Sequence, residues 1–205
     1  MCTTIAEAPS QGATLQTDSL LQGTVFFADA SWKNSDLPGT TQDRATRLGI
    51  YIRDNSANRK WCFRLQASTK QHDTTFQAEA KSLLLAAKLA RILQVDRPTF
   101  LTDNQVLAKT AAARKIDHPL LHWNTRACLA DFFKDTANSS IQVYHISRNL
   151  NGEAHKCANQ VTRMNLDQPY FRCTNSAHSL GPCPLLSTLQ NVQFQDFVIR
   201  IALCS

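Results

Sequence analysis

The sequence predicts an α/β domain: a mixed five-stranded sheet, three antiparallel strands then two parallel ones, flanked by helices on both faces. Three observations carry that expectation. The first seventy residues hold three short runs rich in β-branched and aromatic residues, separated by polar turns. After Asp73 the apolar spacing changes from alternation to a period of about 3.6 residues. Beyond that point strand-like and helix-like segments alternate to about residue 163.

The first strand is TVFFADA, residues 24–30. A polar loop containing Pro38-Gly39 follows it, and RLGIYIRD (47–54) alternates as a second strand. A turn over 54–58 leads to KWCFRLQAS (60–68), the third strand of an antiparallel meander. From Asp73 to Gln94, Phe76, Ala80, Leu83, Ala87 and Ala90 recur on one helical face, with Asp73 placed to cap the helix and Pro98 to stop it. TFLTD (99–103) is the fourth strand, and helical segments are expected over 105–115 and 118–136. SIQVYHIS (140–147) is the fifth strand, and a last helix spans 153–163. Residues 1–21 read as a disordered lead-in, 22–163 as the domain, and 164–205 as an extension of unknown role whose end is an extra strand or a remnant.

Composition narrows the class. The chain is 43% hydrophobic with no apolar run of membrane-span length, which points to a soluble protein with no membrane partner. Neither a signal core nor an arginine-rich transit segment opens it, so an intracellular compartment, nuclear or cytoplasmic, is expected. Its seven cysteines suit a reducing environment. The net charge of +6 favours polyanionic partners. Oligomeric state is not legible.

Three acidic residues stand out. In the first strand Asp29 shares a face with Val25 and Phe27; a buried carboxylate there needs a partner such as a metal ion, although position alone favours a solvated residue at the strand end. Glu79 lies on the apolar stripe of the first long helix, as a stripe-edge residue, a partner of the helix N-terminus, or a functional group. Asp103 ends the fourth strand, where α/β sheets collect ligands, but an N-cap for the following helix is the plainer reading.

The blocks FFADASWK, TFQAEAKSLLLAAKLA, FLTDNQVL and VYHISRNLNGEAHKCAN, in that order, resemble the successive motifs of the ribonuclease H-like family. The resemblance covers about 140 residues. It is strongest to the plant RNase H-like domain related to non-LTR retrotransposon reverse transcriptases. It implies an RNase H-like fold and a metal-dependent endonuclease that hydrolyses the RNA strand of RNA–DNA hybrids. Two Mg²⁺ ions would be held by Asp29, Glu79 and Asp103, with Mn²⁺ as an alternative. The last block matches R-x-x-N-x-x-A-D through Arg148, Asn151 and Ala154, but His155 stands at the closing acidic position. Imidazole is a poor Mg²⁺ ligand, so His155 implies a Mn²⁺ ligand, an acid/base group, a holder of a water-mediated contact, or a weakened or inactive relative that binds nucleic acid or protein. A DNA-processing relative such as an integrase fits less well, because there the helical Glu comes last.

Candidate nucleic-acid contacts are Lys33 and Asn34 after the first strand, the basic run Lys109, Arg114 and Lys115, and Asn151 at the loop entering the last helix. The basic run reads first as a solvated helix face. Trp32 and Trp61 read as core residues with stacking as the alternative, and His145 as a strand residue near the site. Cys173, His178 and Cys183 have the C-x4-H-x4-C spacing of a retroviral-type zinc knuckle, but Tyr170 occupies the first-ligand position. Three ligands are one short of a closed zinc site, and the spacing is read as coincidence.

Overall fold

A computed structural model describes residues 9–17, 21–31, 45–56, 59–70, 74–116, 122–160, 169–178, 181–194 and 196–205. In chain order the elements are β1 (Thr14–Leu15), β2 (Thr24–Ser31), β3 (Ala45–Ser56), β4 (Arg59–Lys70), α1 (Thr75–Ile92), β5 (Thr99–Thr102) and α2 (Gln105–Ala113). They continue with α3 (Trp123–Asp135), β6 (Gln142–Ile146), α4 (Gly152–Gln160), β7 (Tyr170–Cys173), a 3-10 turn at Ser176–His178, α5 (Pro184–Gln190) and β8 (Val198–Cys204). Among the described residues one sheet holds every strand, in the order β1-β6-β5-β2-β3-β4-β8-β7.

The five expected strands form its centre. β2, β3 and β4 pair antiparallel, and β5 and β6 add in parallel on the other side of β2. Three further strands extend this frame, because a five-stranded sheet leaves backbone groups unpaired at both edges. On one edge, residues 9–17 of the stretch expected to be a disordered lead-in lie along β6, where Gly12 N donates to Val143 O at 2.9 Å and His145 N donates to Ala13 O at 3.0 Å. On the other edge β8 pairs antiparallel with β4 and β7 pairs parallel with β8. The segment 164–205 therefore contributes strands to the sheet, and the run VIRIALC is a strand rather than a remnant.

Both faces of β2 are covered, which explains its nearly continuous apolar run. Phe26 and Ala28 face the larger core with α1, α2 and α3, where Phe100 packs between Phe26 and Phe132 at centroid distances of 5.4 Å. Val25 and Phe27 face a smaller core with Leu101, Tyr144, Ile146 and Ala154 of α4. α1 is buried almost all round, not along one stripe as its periodicity suggested, because it crosses the centre of the sheet. Its N-cap is Thr74, whose Oγ1 accepts from Gln77 N at 3.2 Å; Asp73, the cap expected from sequence, lies outside the described residues.

Gly49 sets how closely α4 approaches. A Cβ there would overlap the Ala154 carbonyl and the Ala158 amide and sit 2.9 Å from Cys157 Cβ. Only a glycine lets the helix lie against the strand opposite Asp29, its register partner.

Candidate active site

The register of the two parallel strands brings the first pair of carboxylates together. Phe27 pairs with Leu101, and two residues further along each strand stand Asp29 and Asp103. Both therefore emerge at the carboxyl ends of adjacent strands, where the chain direction of the sheet switches. Glu79 reaches the same place from the second turn of α1. One carboxylate oxygen from each of the three lies within 4.8 Å of the others.

Two of the three are buried: Asp29 is 3% exposed and Glu79 7%. Position alone favoured a solvated Asp29, and the second layer formed by α4 is what overturns that. Asp103 is partly exposed and is not the N-cap of α2. Asn104 does that work, its Oδ1 accepting from Leu107 N at 3.0 Å, which leaves the Asp103 carboxylate free to face the site.

Crowding three carboxylates shapes their charge states. Burial, then the charges of Asp29 and Asp103, push Glu79 up to about 9. Burial also raises Asp29; the His155 hydrogen bond opposes that rise and the Asp103 charge adds to it. Glu79 Oε2 is buried without a hydrogen-bond partner among the described residues. An orphaned, buried oxygen beside two further carboxylates is the donor set that a hard divalent cation satisfies, so these residues fit Mg²⁺ or Mn²⁺.

His155 completes the cluster from α4. Its Nδ1 lies 2.9 Å from Asp29 Oδ2. On the other ring nitrogen, Asn159 Nδ2 lies at 2.9 Å and the Arg148 guanidinium at 3.5 Å. Arginine only donates, so Nε2 accepts, and the proton sits on Nδ1 where it bonds to Asp29. Both nitrogens are engaged, and the ring acts on Asp29 instead of presenting a lone pair to a cation. Glu153, the nearest acidic neighbour in sequence, points away to Arg64 (2.9 Å) and Lys156 (2.8 Å). Lys156 first and Arg64 second hold its carboxyl below the usual range.

The other sequence candidates divide. His145 lies beside the site, its Nε2 donating to the Asp103 carbonyl at 3.3 Å while Nδ1 accepts from Thr14 Oγ1 at 2.8 Å. Asn151 is fully buried and its Nδ2 donates to Ala28 O at 3.0 Å, which fastens the loop before α4 to β2 and keeps the side chain from solvent. Arg114 takes a left-handed conformation (φ 51°) at the end of α2 and donates to Phe133 O at 2.9 Å, with its guanidinium 5.2 Å from the Phe133 ring. That fixes it to α3. Lys109 and Lys115 are exposed. Trp61 packs against the larger core. Trp32, Lys33 and Asn34 lie outside the described residues.

Two contributors had no place in the sequence reading. Asn159 orients His155 from one helical turn away, a spacing visible only once the helix is known. Gly49 had a signal, a glycine inside a strand, which marks close backbone approach.

A family model described as reverse transcriptase-like matches residues 34–161. The chain belongs to the reverse transcriptase-like family. The match includes Glu79, Asp103 and His155, while Asp29 lies just before it. No curated protein matches the chain. Among solved structures the N-terminal RNase H domain of Rv2228c from Mycobacterium tuberculosis is similar at a TM-score of 0.53 and 14% identity, covering 68% of this chain and 92% of that one. LC11-RNase H1, solved in complex with an RNA/DNA hybrid, gives 0.50 and 14%, covering 67% and 94%. A prototype foamy virus protease-reverse transcriptase gives 0.50 and 20%, covering 78% of this chain and 22% of that one. These similarities show that the family member has an RNase H-like fold. No helix among the described residues is long and apolar enough to cross a membrane.

Proposed function

We propose that this chain is a metal-dependent endonuclease that hydrolyses the RNA strand of RNA–DNA hybrids. The observation that carries the reading is the carboxylate cluster Asp29, Glu79 and Asp103 with its orphaned Glu79 Oε2. Membership of a reverse transcriptase-like family on an RNase H-like fold supports the substrate class, as does the hybrid bound by LC11-RNase H1.

Asp29, Glu79 and Asp103 would hold two divalent cations, Mg²⁺ or Mn²⁺, which when bound supply charge to activate water and to stabilise the leaving oxygen. The chain's own residues prepare that chemistry. His155, through Nδ1–H, fixes one Asp29 oxygen and leaves the other for a cation. Asn159 and Arg148 hold the ring in that tautomer. Asn151 and Gly49 set the position of α4 and hence of His155. Lys33, Asn34, Lys109 and Lys115 are the candidate phosphate contacts, and discrimination of RNA from DNA would rest on 2′-hydroxyls.

The His155–Asp29 contact also favours a second reading, in which the domain binds hybrid and cuts weakly, because an imidazole stands where the resemblance implies a fourth carboxylate. The test is cleavage of a labelled RNA–DNA hybrid with Mg²⁺ and, separately, Mn²⁺, with Asp29→Asn alongside. Cleavage by the parent and none by the folded variant is the expected result. A parent that binds hybrid but cuts with neither metal moves the assignment to the binding module, and full activity in Asp29→Asn removes the cluster from the mechanism.

A further inference from the structure

The interrupted zinc pattern in the C-terminal extension finds its fourth member at the far end of the chain. Cys173 ends β7, His178 closes the 3-10 turn, Cys183 immediately precedes α5, and Cys204 ends β8. One ligand atom from each lies within 4.8 Å of every other. Cys173 and Cys204 are register partners on the parallel β7–β8 pair. His178 Nδ1 lies 3.4 Å from Cys173 Sγ and 3.6 Å from Cys204 Sγ. Tetrahedral bonds of about 2.3 Å to sulfur and 2.0–2.1 Å to nitrogen put nitrogen and sulfur roughly 3.5–3.6 Å apart, and both separations fall within about 0.1–0.2 Å of that distance.

The surroundings agree. Cys183 and Cys204 are buried, and all three cysteines are free thiols. The Cys183 side chain makes no capping hydrogen bond to α5, so the helix end does not account for it. Tyr170, at the position where a zinc knuckle has its first cysteine, is 44% exposed; the ligand missing there comes instead from Cys204, 34 positions later in the chain. Three sulfurs and one imidazole are the soft and borderline donors that select Zn²⁺ over the hard cations suited to the carboxylate cluster.

We propose that Cys173, His178, Cys183 and Cys204 form a closed, structural Zn²⁺ site that fastens the C-terminal extension to the sheet. β8 reaches the domain through its pairing with β4, and Leu186, Leu189 and Phe197 add apolar contacts to the larger core. The ion ties β7, the turn and the start of α5 to the end of β8. A site with four protein ligands has no open position, which distinguishes it from a catalytic zinc centre.

This assignment is independent of the nuclease reading and is tested without any cleavage assay. The full chain is expressed with supplemental zinc, purified under reducing conditions without chelator, and examined by elemental analysis and native mass spectrometry. One zinc per chain is expected, lost in Cys204→Ser and in His178→Ala, and retained in Asp29→Asn. The Co²⁺-substituted parent is expected to show thiolate-to-metal charge transfer and the visible bands of a tetrahedral site. A zinc count that survives Cys204→Ser overturns the proposal. So does a parent that carries no zinc, or one isolated with Cys173 and Cys204 joined as a disulfide. Should the variants fail to fold, the parent's Co²⁺ spectrum decides, and absence of thiolate charge transfer overturns it.

Discussion

Replacing Glu79 with glutamine isolates the strain stored in the carboxylate cluster. Glu79 is 7% exposed and its pKa is raised from 4.5 to about 9, first by burial and then by Asp29 and Asp103. A folded state with the higher pKa binds more protons than the unfolded chain, so this group's contribution to stability is fully present below 4.5 and is lost as pH rises toward 9. Each pH unit inside that window is worth up to about 1.4 kcal/mol, so moving from about pH 5.5 to about pH 7.5 costs the parent at most about 2.7 kcal/mol. For a chain of this size that is a fall in Tm of roughly 5–10 °C. Glutamine does not titrate, so Glu79→Gln should hold its Tm far better across the same range. Asp29, raised in the same direction, leaves the variant a shallower residual slope. The assay is thermal unfolding against pH in Mg²⁺-free buffer without chelator, so that the cysteine cluster is undisturbed. Adding Mg²⁺ near pH 7.5 should restore stability to the parent more than to the variant. Parallel curves for the two proteins would refute the argument, because they would mean that Glu79 is charged and solvated in the folded chain.

Two further substitutions probe the α4 side of the site. His155→Asp puts a fourth carboxylate where the imidazole now donates to Asp29, and Mg²⁺-dependent hybrid cleavage is expected to rise while the Mg²⁺ concentration for half-maximal rate falls. Unchanged metal dependence, measured by titration, would show that the ring does not limit cation binding. Gly49→Ala forces α4 off the sheet at Ala154 and Ala158, with an expected loss of about 1–3 kcal/mol in urea unfolding and a larger loss of cleavage than the stability change explains. Wild-type stability in that variant would contradict the close packing.

Local chemistry made much of this protein legible before its fold was known. Strand alternation placed Asp29 on the face of Val25 and Phe27, and in the structure Val25 and Phe27 pack with Ala154 of α4 while Asp29 bonds to His155 of the same helix. The helical period located α1, and Pro98 falls six residues beyond its last residue, Ile92. These features depend on residues close together in the chain, where backbone geometry alone dictates the period. The order of the acidic residues was readable for the same reason, each being tied to one strand or helix.

Tertiary structure decided where those residues sit and what they touch. Burial of Asp29, and with it the case for a cation, comes from α4, more than 120 positions away. Asp103 is spared for the cluster only because Asn104 caps α2. Arg114 and Asn151, which as sequence look like candidate ligand contacts, also tie the scaffold together through bonds to Phe133 and Ala28. Cys204 meets Cys173 only through the β7–β8 register, a pairing that no spacing rule encodes. Period and propensity act over a few residues, whereas desolvation and ligand geometry depend on which distant segments share an edge or a face. From sequence alone, then, the central elements from β2 to α4 and their order were legible, whereas the edge strands, the burial of the acidic residues and the gathering of the two candidate ligand clusters were decided by packing.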